Sequence, residues 1–534
     1  MRALALAVLI AAMATSSAAA AAPYNLIEKN TATLQRDLGA GRVTSEALVN
    51  AYLARIQAMD RNGPALHSVL SLNPAALADA RKLDAERRAG HVRGPLHGIP
   101  ILVKDNIETG DPVATTAGSL ALAGNITYRD APVVARLRAA GVVILGKANL
   151  SEWANIRSSH SISGWSAIGG LVKNPYVLDR SACGSSSGSG AAVAASLAAA
   201  ALGTETDGSL VCPGSINGVV SLKPTLGLLS RTHVVPIAHS QDTPGPMGRS
   251  VADVAALLTV MAGSDAADPA TANADPHKAD YSAALAGASL RGVRLGTIAP
   301  DPNSPRSETD LVFAEAVDAL KRAGAEIVEI KGFTPPPPEM QANELTVLEY
   351  ELKADLNTYL AGLPTPQKAR TLADVIAFDR QTTRETALFG QDLFEAAEAT
   401  TGLSDPKYVK ARDALQQSSR GVLDKLFSEN GIDALIRSTD DPSFRIDLAK
   451  GDNDSSTASY LPATAGYPHL TVPMGFVRAL PVGISFIGPP WSEAKLLAYG
   501  YAFEQATHAR KPPHFLPSLE SRTQAEAAFA PLSP

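Results

Sequence analysis

Cysteine is scarce in this chain, and positive charge is in deficit. The 534 residues include two cysteines, which cannot build a disulfide framework or a four-thiolate zinc site. Cys183 and Cys212 can form one disulfide or remain two separate buried thiols. The formal net charge is −6, from 47 Lys plus Arg and 53 Asp plus Glu. We therefore expect no nucleic-acid partner, because phosphate binding needs a basic surface.

Long apolar runs are missing too, except near the N-terminus. Arg2 is followed by an apolar run over residues 3–13 and by small residues over 15–22. This order is typical of a secretory signal peptide, and the run is well short of the roughly 20 residues that a membrane span needs. We predict that residues 1–22 are a signal peptide, that the mature protein is periplasmic or secreted, and that no segment crosses a membrane.

Helical and strand patterns alternate along the rest of the chain. Residues 132–140 predict a helix and residues 141–145 a buried strand directly after it. The unit recurs where Ser307 and Asp310 resemble a capping box that opens a helix before a strand at 325–330. Further strands are predicted at 67–72, 433–436, 470–472 and 482–487. The alternation predicts an α/β layered fold with a mixed or parallel sheet.

One long segment departs from this alternation. Residues 339–426 are polar, helical in pattern and without strand signals, and they follow a stiff run of four prolines at 335–338. We expect this segment to cap the fold or to form an insertion on the substrate side. The broader region 265–450 is predicted to be mostly helical and to carry the side-chain preference for the substrate.

Residues that can carry chemistry concentrate between positions 98 and 253. Lys104 ends an apolar strand-like run, a Gly/Ser-rich stretch at 183–190 leads into an Ala-rich helix pattern, and Gly-Thr-Glu-Thr-Asp-Gly-Ser occupies 203–209. A Gly/Ser loop before a helix can bind phosphate. However, a Walker loop needs a lysine that is absent here, and a Rossmann loop needs glycine where Val193 stands. The motif test thus argues against nucleotide binding.

Two serine-hydrolase interpretations remain. The Gly-x-Ser-x-Gly pattern around Ser186 matches a nucleophile elbow, with His469 as a possible base. Residues 177–182 are too polar for the buried strand that an elbow requires. The other interpretation pairs Lys104 with serines, because a serine nucleophile needs a base and burial favours a neutral lysine. A salt bridge with a carboxylate explains Lys104 equally well at this stage.

In chain order, these motifs resemble the amidase signature family. They are Gly-Ile-Pro-x-x-x-Lys-Asp ending at Asp105, Gly-Ser-Ser at 184–186, Gly-Thr-x-Thr-x-Gly-Ser ending at Ser209, and Gly-Val-Val-x-Leu-Lys-Pro ending at Pro224. The likeness extends over most of the chain and is weakest in the region 265–450. It implies one large domain over residues 23–534, with a mixed β-sheet core flanked by helices. The Cys-Gly-Ser-Ser-Ser-Gly-Ser-Gly and Thr-Glu-Thr-Asp-Gly-Ser stretches resemble the bacterial peptide amidase branch.

The resemblance implies a role for each motif residue. Ser209 would be the nucleophile, Ser185 the bridging serine preceded by a cis peptide bond, and Lys104 the base that ends the proton relay. Backbone N–H groups would form the oxyanion hole at Thr206, Asp207, Gly208 and Ser209. No cofactor is expected. No metal is assigned, because the ten histidines show no paired metal-ligand spacing.

The implied reaction converts the C-terminal carboxamide of a peptide amide into a free acid and ammonia through an acyl-enzyme. Alternatives are a hydrolase of amino-acid, aryl or fatty amides, an amidotransferase component, or a periplasmic solute-binding protein. The last would explain a signal peptide but not the lysine and serine motifs. We expect a monomer with a small-molecule or peptide amide substrate. Trp153, Asn155 and Trp165 are candidates for the pocket lining, although the tryptophans suit the core equally well.

Overall fold

A computed structural model describes residues 24–300, 304–364, 367–452 and 458–521. The predicted signal peptide lies outside these residues. The strands are β1 (Val69–Leu72), β2 (Pro100–Lys104), β3 (Val143–Ala148), β4 (Trp165–Ser166), β5 (Gly170–Leu171), β6 (Ala200–Glu205), β7 (Val220–Lys223), β8 (Thr243–Gly248), β9 (Arg294–Ile298), β10 (Glu326–Ile330), β11 (Ala434–Ser438), β12 (His469–Val477) and β13 (Leu480–Ile487).

Helices surround these strands. They are α1 (Thr31–Gly39), α2 (Ser45–Arg55), α3 (Ala76–Arg88), α4 (Pro132–Ala139), α5 (Ser187–Ala194), α6 (Val211–Ile216), α7 (Val251–Met261), α8 (Glu308–Arg322), α9 (Glu339–Ala361), α10 (Leu372–Gln381), α11 (Asp392–Glu398), α12 (Pro406–Asn430), α13 (Tyr460–Ala465) and α14 (Glu493–Thr507). None of the described helices is long and apolar enough to span a membrane.

One mixed sheet of eleven strands forms the centre, in the order β1-β3-β2-β6-β8-β7-β12-β13-β11-β9-β10. Strand β2 is parallel to both of its neighbours, β3 and β6, and β9 is parallel to β10 and β11. The other neighbours in this sheet are antiparallel. The chain is therefore a single α/β domain with a large mixed sheet flanked by helices, as the sequence predicts.

The parallel strands near one end of the sheet are buried along their whole length. Every residue of β2, β3 and β6 is buried, as expected for strands covered on both faces. Helix α5 packs against them with small side chains and has no exposed residue. At Gly188 an added Cβ would lie 2.3 Å from the carbonyl oxygen of Asn149. Only glycine allows this close approach.

Most predicted elements are present with small shifts. The helix predicted at 132–140 is α4, and the capping box of Ser307 and Asp310 makes both of its hydrogen bonds. The strand predicted at 67–72 was placed too early, because His67 has a φ of +56° and β1 begins at Val69. The strand after α4 also begins later than predicted, because Gly141 at φ +86° ends the helix first.

The region 265–450 divides into two parts. Its first and last segments supply β9, β10 and β11, which form one edge of the sheet; the sequence predicted strands at the places of β10 and β11 and missed β9. Helix α8 lies between β9 and β10, and α9 to α12 form the central part of the region. Leu352, Leu356 and Leu360 of α9 share an apolar cluster with Ile237 and Trp153. The helical part therefore packs against the segments that contain Trp153 and Ile237.

Candidate active site

The sheet brings the lysine and serine motifs to one edge. Lys104 is the last residue of β2, and Ser209 follows shortly after the end of the neighbouring strand β6. Since the two strands are parallel, their carboxyl ends meet on the same side of the sheet. This edge is where α/β sheets usually bind ligands. Ser185 joins them from the loop that precedes α5.

Lys104 is completely buried and faces hydroxyl groups. Its Nζ donates to Ser185 Oγ at 2.8 Å, to Thr204 Oγ1 at 2.8 Å and to the Thr204 carbonyl at 3.2 Å. Among the described residues, no carboxylate oxygen lies within 4.0 Å of it, so the salt-bridge interpretation is wrong. Burial lowers the pKa of Lys104 to about 7, while the negative charges of Asp242 and Glu205 oppose that shift.

Ser185 and Ser186 of the Gly/Ser-rich loop have different surroundings. The peptide bond between Gly184 and Ser185 is cis. Ser186 is fully buried; its Oγ donates to the Thr204 carbonyl at 3.1 Å and accepts from the Thr204 N–H at 3.2 Å. It therefore ties the loop to β6. His469, the base of the elbow interpretation, bonds to Ser485 Oγ at 2.6 Å instead of to the serine loop.

Buried carboxylates hold the loop that carries Ser209. Glu205 accepts hydrogen bonds from the N–H groups of Leu210 and Val211 at 2.8 and 3.1 Å. Asp242 accepts the Thr206 hydroxyl proton at 2.6 Å. Burial raises the pKa of Glu205, and it raises the pKa of Asp242 to about 6. These bonds order the backbone at residues 206–209, where the oxyanion donors are predicted.

A disulfide joins the two serine-bearing loops. Cys183 and Cys212 are bonded, with their Cα atoms 6.1 Å apart. Cys183 lies just before the cis peptide bond, and Cys212 lies in α6 just after Ser209. Of the two states that the sequence left open, the structure has the disulfide.

A cavity of about 310 Å³ opens onto Ser209. Its walls include both cysteines, residues 206–208, Asn155, Leu348 of α9, and Ser459. Asn155 thus lies where the sequence placed it. The two tryptophans do not line this cavity: Trp153 packs edge-on against Phe394, and Trp165 against Phe389.

A second cavity of about 450 Å³ adjoins the first. Both are lined by Ala154, Thr206 and Ile237. The second also reaches Asn106 and Thr204, whose side chains are hydrogen-bonded to each other at 2.9 Å. Because Thr204 also bonds Lys104, this cavity extends behind the catalytic lysine candidate.

Several site residues escaped the sequence analysis. Thr204 sits inside a quoted motif, but the motif does not reveal that its hydroxyl meets Lys104. Gln241 donates to the Thr206 carbonyl at 3.3 Å and to Glu344 Oε1 at 2.9 Å. Glu344 lies in a polar helix with no motif around it. Only the packing of α9 against the loop reveals Glu344.

A group of metal-ligand types lies beside the second cavity. Ligand atoms of His239, Glu351 and Asp355 are within 4.8 Å of one another. All are engaged: Asp355 accepts from the His239 backbone N–H at 2.9 Å, and Glu351 accepts from the Ser240 N–H at 2.9 Å and from Tyr408. These bonds explain the group as the attachment of α9 to residues 239–241, which include Gln241.

Comparison with known proteins identifies the family of this chain. The model of the family described as Amidase matches residues 47–497. The X-ray structure of native peptide amidase from Stenotrophomonas maltophilia superimposes with a TM-score of 0.86 at 50% identity, covering 92% of this chain and 99% of that one. A probable amidase of Arabidopsis thaliana is 41% identical over 487 residues, 89% of each chain.

A third relative has another function. It is a component of the glutamyl-tRNA(Gln) amidotransferase of a Synechococcus strain, and it is 35% identical over 502 residues, 91% of this chain and 94% of that protein. The family match covers most of the chain, and these relatives align over nearly their whole length. The chain belongs to the amidase family, and it is an amide-hydrolysing enzyme.

Proposed function

We propose that this enzyme hydrolyses amides through a relay of Ser209, Ser185 and Lys104. One observation carries the proposal: Lys104 is fully buried, has no carboxylate partner within 4.0 Å in the described part of the chain, and donates to Ser185 Oγ at 2.8 Å. Its lowered pKa, about 7, gives a substantial neutral fraction near neutral pH. A neutral lysine accepts a proton, whereas an ion-paired lysine does not.

The proposed chemical steps are these. Ser209 Oγ attacks the amide carbonyl carbon and gives its proton to Ser185 Oγ, which passes its own proton to Lys104 Nζ. Backbone N–H groups of Thr206, Asp207, Gly208 and Ser209 are the proposed donors to the oxyanion, and one such donor typically contributes about 3–4 kcal/mol. The relay then runs in reverse to protonate the departing nitrogen as ammonia. Water, deprotonated by the same relay, cleaves the acyl-enzyme to the acid.

Peptide amides are the proposed substrates. The similarity to the Stenotrophomonas peptide amidase supports this class, at 50% identity over nearly the full chain. The cavity at Ser209 and its larger neighbour share three wall residues, which offers room for more than one substrate residue. The reaction would release the C-terminal carboxamide nitrogen as ammonia and leave a free peptide acid.

The test is ammonia release from an N-blocked dipeptide amide. We expect release by the wild type and none by Ser209→Ala. Ser186→Ala is the matched control, because Ser186 ties the loop to β6 and should lower the rate only modestly. Release from amino-acid, aryl or fatty amides without release from the dipeptide amide would move the substrate to those classes. Equal rates for wild type and Ser209→Ala would exclude Ser209 as the nucleophile.

Export is a further part of the proposal. The charge and apolar pattern of residues 1–22 supports it, and the disulfide fits an oxidising compartment. Mass spectrometry of the protein recovered from the periplasm or the medium should find a mature N-terminus between residues 19 and 23. Recovery of the full-length chain from the cytosol would contradict export.

A further inference from the structure

Two carboxyl groups meet beside the proposed nucleophile. Asp207 lines the Ser209 cavity, and Glu344 of α9 lies behind it within hydrogen-bonding reach. We call these two residues the acid pair. Two carboxyl groups in contact are stable when they share a proton, because two adjacent negative charges repel. Burial first, and the negative charge of Asp207 second, raise the pKa of Glu344 to about 8.

Glu344 is the more deeply buried member of the acid pair. Its side chain is mostly buried and accepts from Gln241 Nε2 at 2.9 Å. Asp207 is less buried and interacts electrostatically with the buried Lys223. Asp207 is therefore the member of the acid pair that faces the cavity, because it lines the cavity and Glu344 does not.

The charge of the cavity wall has one sign. Of the described residues that line this cavity, the charged ones are Asp207 and Asp452. Both are acidic, and no lysine or arginine accompanies them there. A cavity walled by one sign of charge attracts ligands of the opposite sign and disfavours ligands of its own sign.

An independent feature indicates a ligand at this wall. Ser459 is 1% exposed, and its Oγ has no hydrogen-bond partner among the residues that the structure describes. It lines the same cavity, 3.2 Å from where a Cβ on Gly208 would lie. Since buried hydroxyl groups normally have partners, this one is available to a polar group of a bound molecule.

We propose that the acid pair selects substrates by charge, favouring amides that carry an ammonium group close to the reacting carbonyl. Such amides include those of amino acids and short peptides with a free N-terminus, whereas amides bearing a carboxylate at the same place would bind poorly. Asp207 meets the substrate charge, and Glu344 is a positioning residue that holds it. This inference rests on the amide hydrolysis proposed at Ser209.

The test compares three ligands with the same leucine amide group and different charges: leucine amide, N-acetyl-leucine amide and N-succinyl-leucine amide. They are cationic, neutral and anionic at neutral pH. Calorimetric affinities are measured on the Ser209→Ala protein, which binds without turnover. We expect the cation to bind at least about tenfold more tightly than the anion, and the ratio to shrink as salt screens the charges.

Substitutions then assign the ratio to the acid pair. In the Ser209→Ala background, Asp207→Asn should reduce the ratio to below about threefold. Glu344→Gln should preserve it, because Glu344 does not line the cavity and the glutamine oxygen can still accept from Gln241. Glu349→Gln is the matched control, since it removes a carboxylate from the same helix outside the cavity lining.

The outcomes distinguish this inference from the proposed function. Equal affinities for the three ligands, or a ratio unchanged by Asp207→Asn, would overturn charge selection. If Asp207→Asn fails to fold, the cation-to-anion affinity ratio of the Ser209→Ala protein decides the test by itself. A uniform fall in affinity for all three ligands in Asp207→Asn would reduce Asp207 to a loop support. No hydrolysis of any amide by the Ser209 enzyme would instead reject the proposed function, whatever the binding ratio.

Discussion

Two buried lysines sit at the ends of neighbouring parallel strands, and their surroundings differ in one respect. Lys104 ends β2, and Lys147 lies near the end of β3; each is 0% exposed. Lys147 Nζ lies 3.9 Å from the carboxylate of Asp105 and donates to Thr115 Oγ1 at 2.8 Å. Lys104 meets hydroxyl and carbonyl groups instead of a carboxylate.

We propose that this difference makes Lys104, and not Lys147, available as a base. Burial lowers the pKa of both lysines, because it penalises the ammonium form. At Lys147 the opposing effect is led by Asp105, whose own pKa is raised to about 6 by burial. An ion pair keeps the proton on the lysine, and a serine hydroxyl lets it move. The two lysines have similar positions in the sheet, so we attribute their different roles to the groups that they contact.

The largest expected effect is on catalysis at Lys104. Lys104→Met should lower kcat by about 10²–10⁴-fold, the range typical for loss of a general base. Stability should fall by about 1–3 kcal/mol, because the buried acceptors of Ser185 and Thr204 lose a donor but no ion pair is broken. Steady-state kinetics measures the change in kcat, and chemical denaturation measures the change in the free energy of unfolding. A variant with kcat within threefold of the wild type would remove Lys104 from the mechanism.

Lys147 should show the opposite pattern. Lys147→Met leaves Asp105 buried without its counter-charge, and breaking a buried pair typically costs about 3–5 kcal/mol. Urea unfolding should show this loss, while kcat of the folded fraction stays close to that of the wild type. The double variant Asp105→Asn plus Lys147→Met should recover part of the stability. Unchanged stability in the single variant would mean that this pair is not what distinguishes the two lysines.

The disulfide offers a smaller test, because it fastens the loop that Lys104 faces and not the Lys147 region. Replacing both cysteines by serine opens a loop with a sequence separation of 29, which should lower the unfolding free energy by about 2–4 kcal/mol. We also expect a lower kcat, since the loops that carry Ser185 and Ser209 lose the covalent bond between them. Full activity and stability after verified reduction would show that noncovalent bonds alone position the serines.

The candidate site residues are easier to find in the sequence than the residues that surround them. Lys104, Ser185 and Ser209 lie in local Gly-, Ser- and Lys-containing patterns, and the resemblance placed all three in one site. Thr204 as a lysine partner follows from the pairing of β2 with β6, which no local pattern contains. Glu344 lies in α9, which is remote from the motifs in the chain. The disulfide could be predicted only from the 6.1 Å distance between the Cα atoms of its two cysteines. Long-range contacts of this kind depend on the assembled sheet.

The smallest effect expected is the pH dependence that separates the two lysines. Because Lys104 must be neutral to act as the base, kcat/KM should rise with pH, about tenfold per unit below pH 7, and level off above it. A lysine at its ordinary pKa would give a rate still rising beyond pH 9. Lys147→Met should keep the same rise, since Lys147 does not exchange protons with the serines. Glu344→Gln serves as the second control, because Glu344 also titrates near this range, at about 8. A rise that persists in both variants belongs to Lys104, and one that disappears with Glu344→Gln belongs to the acid pair.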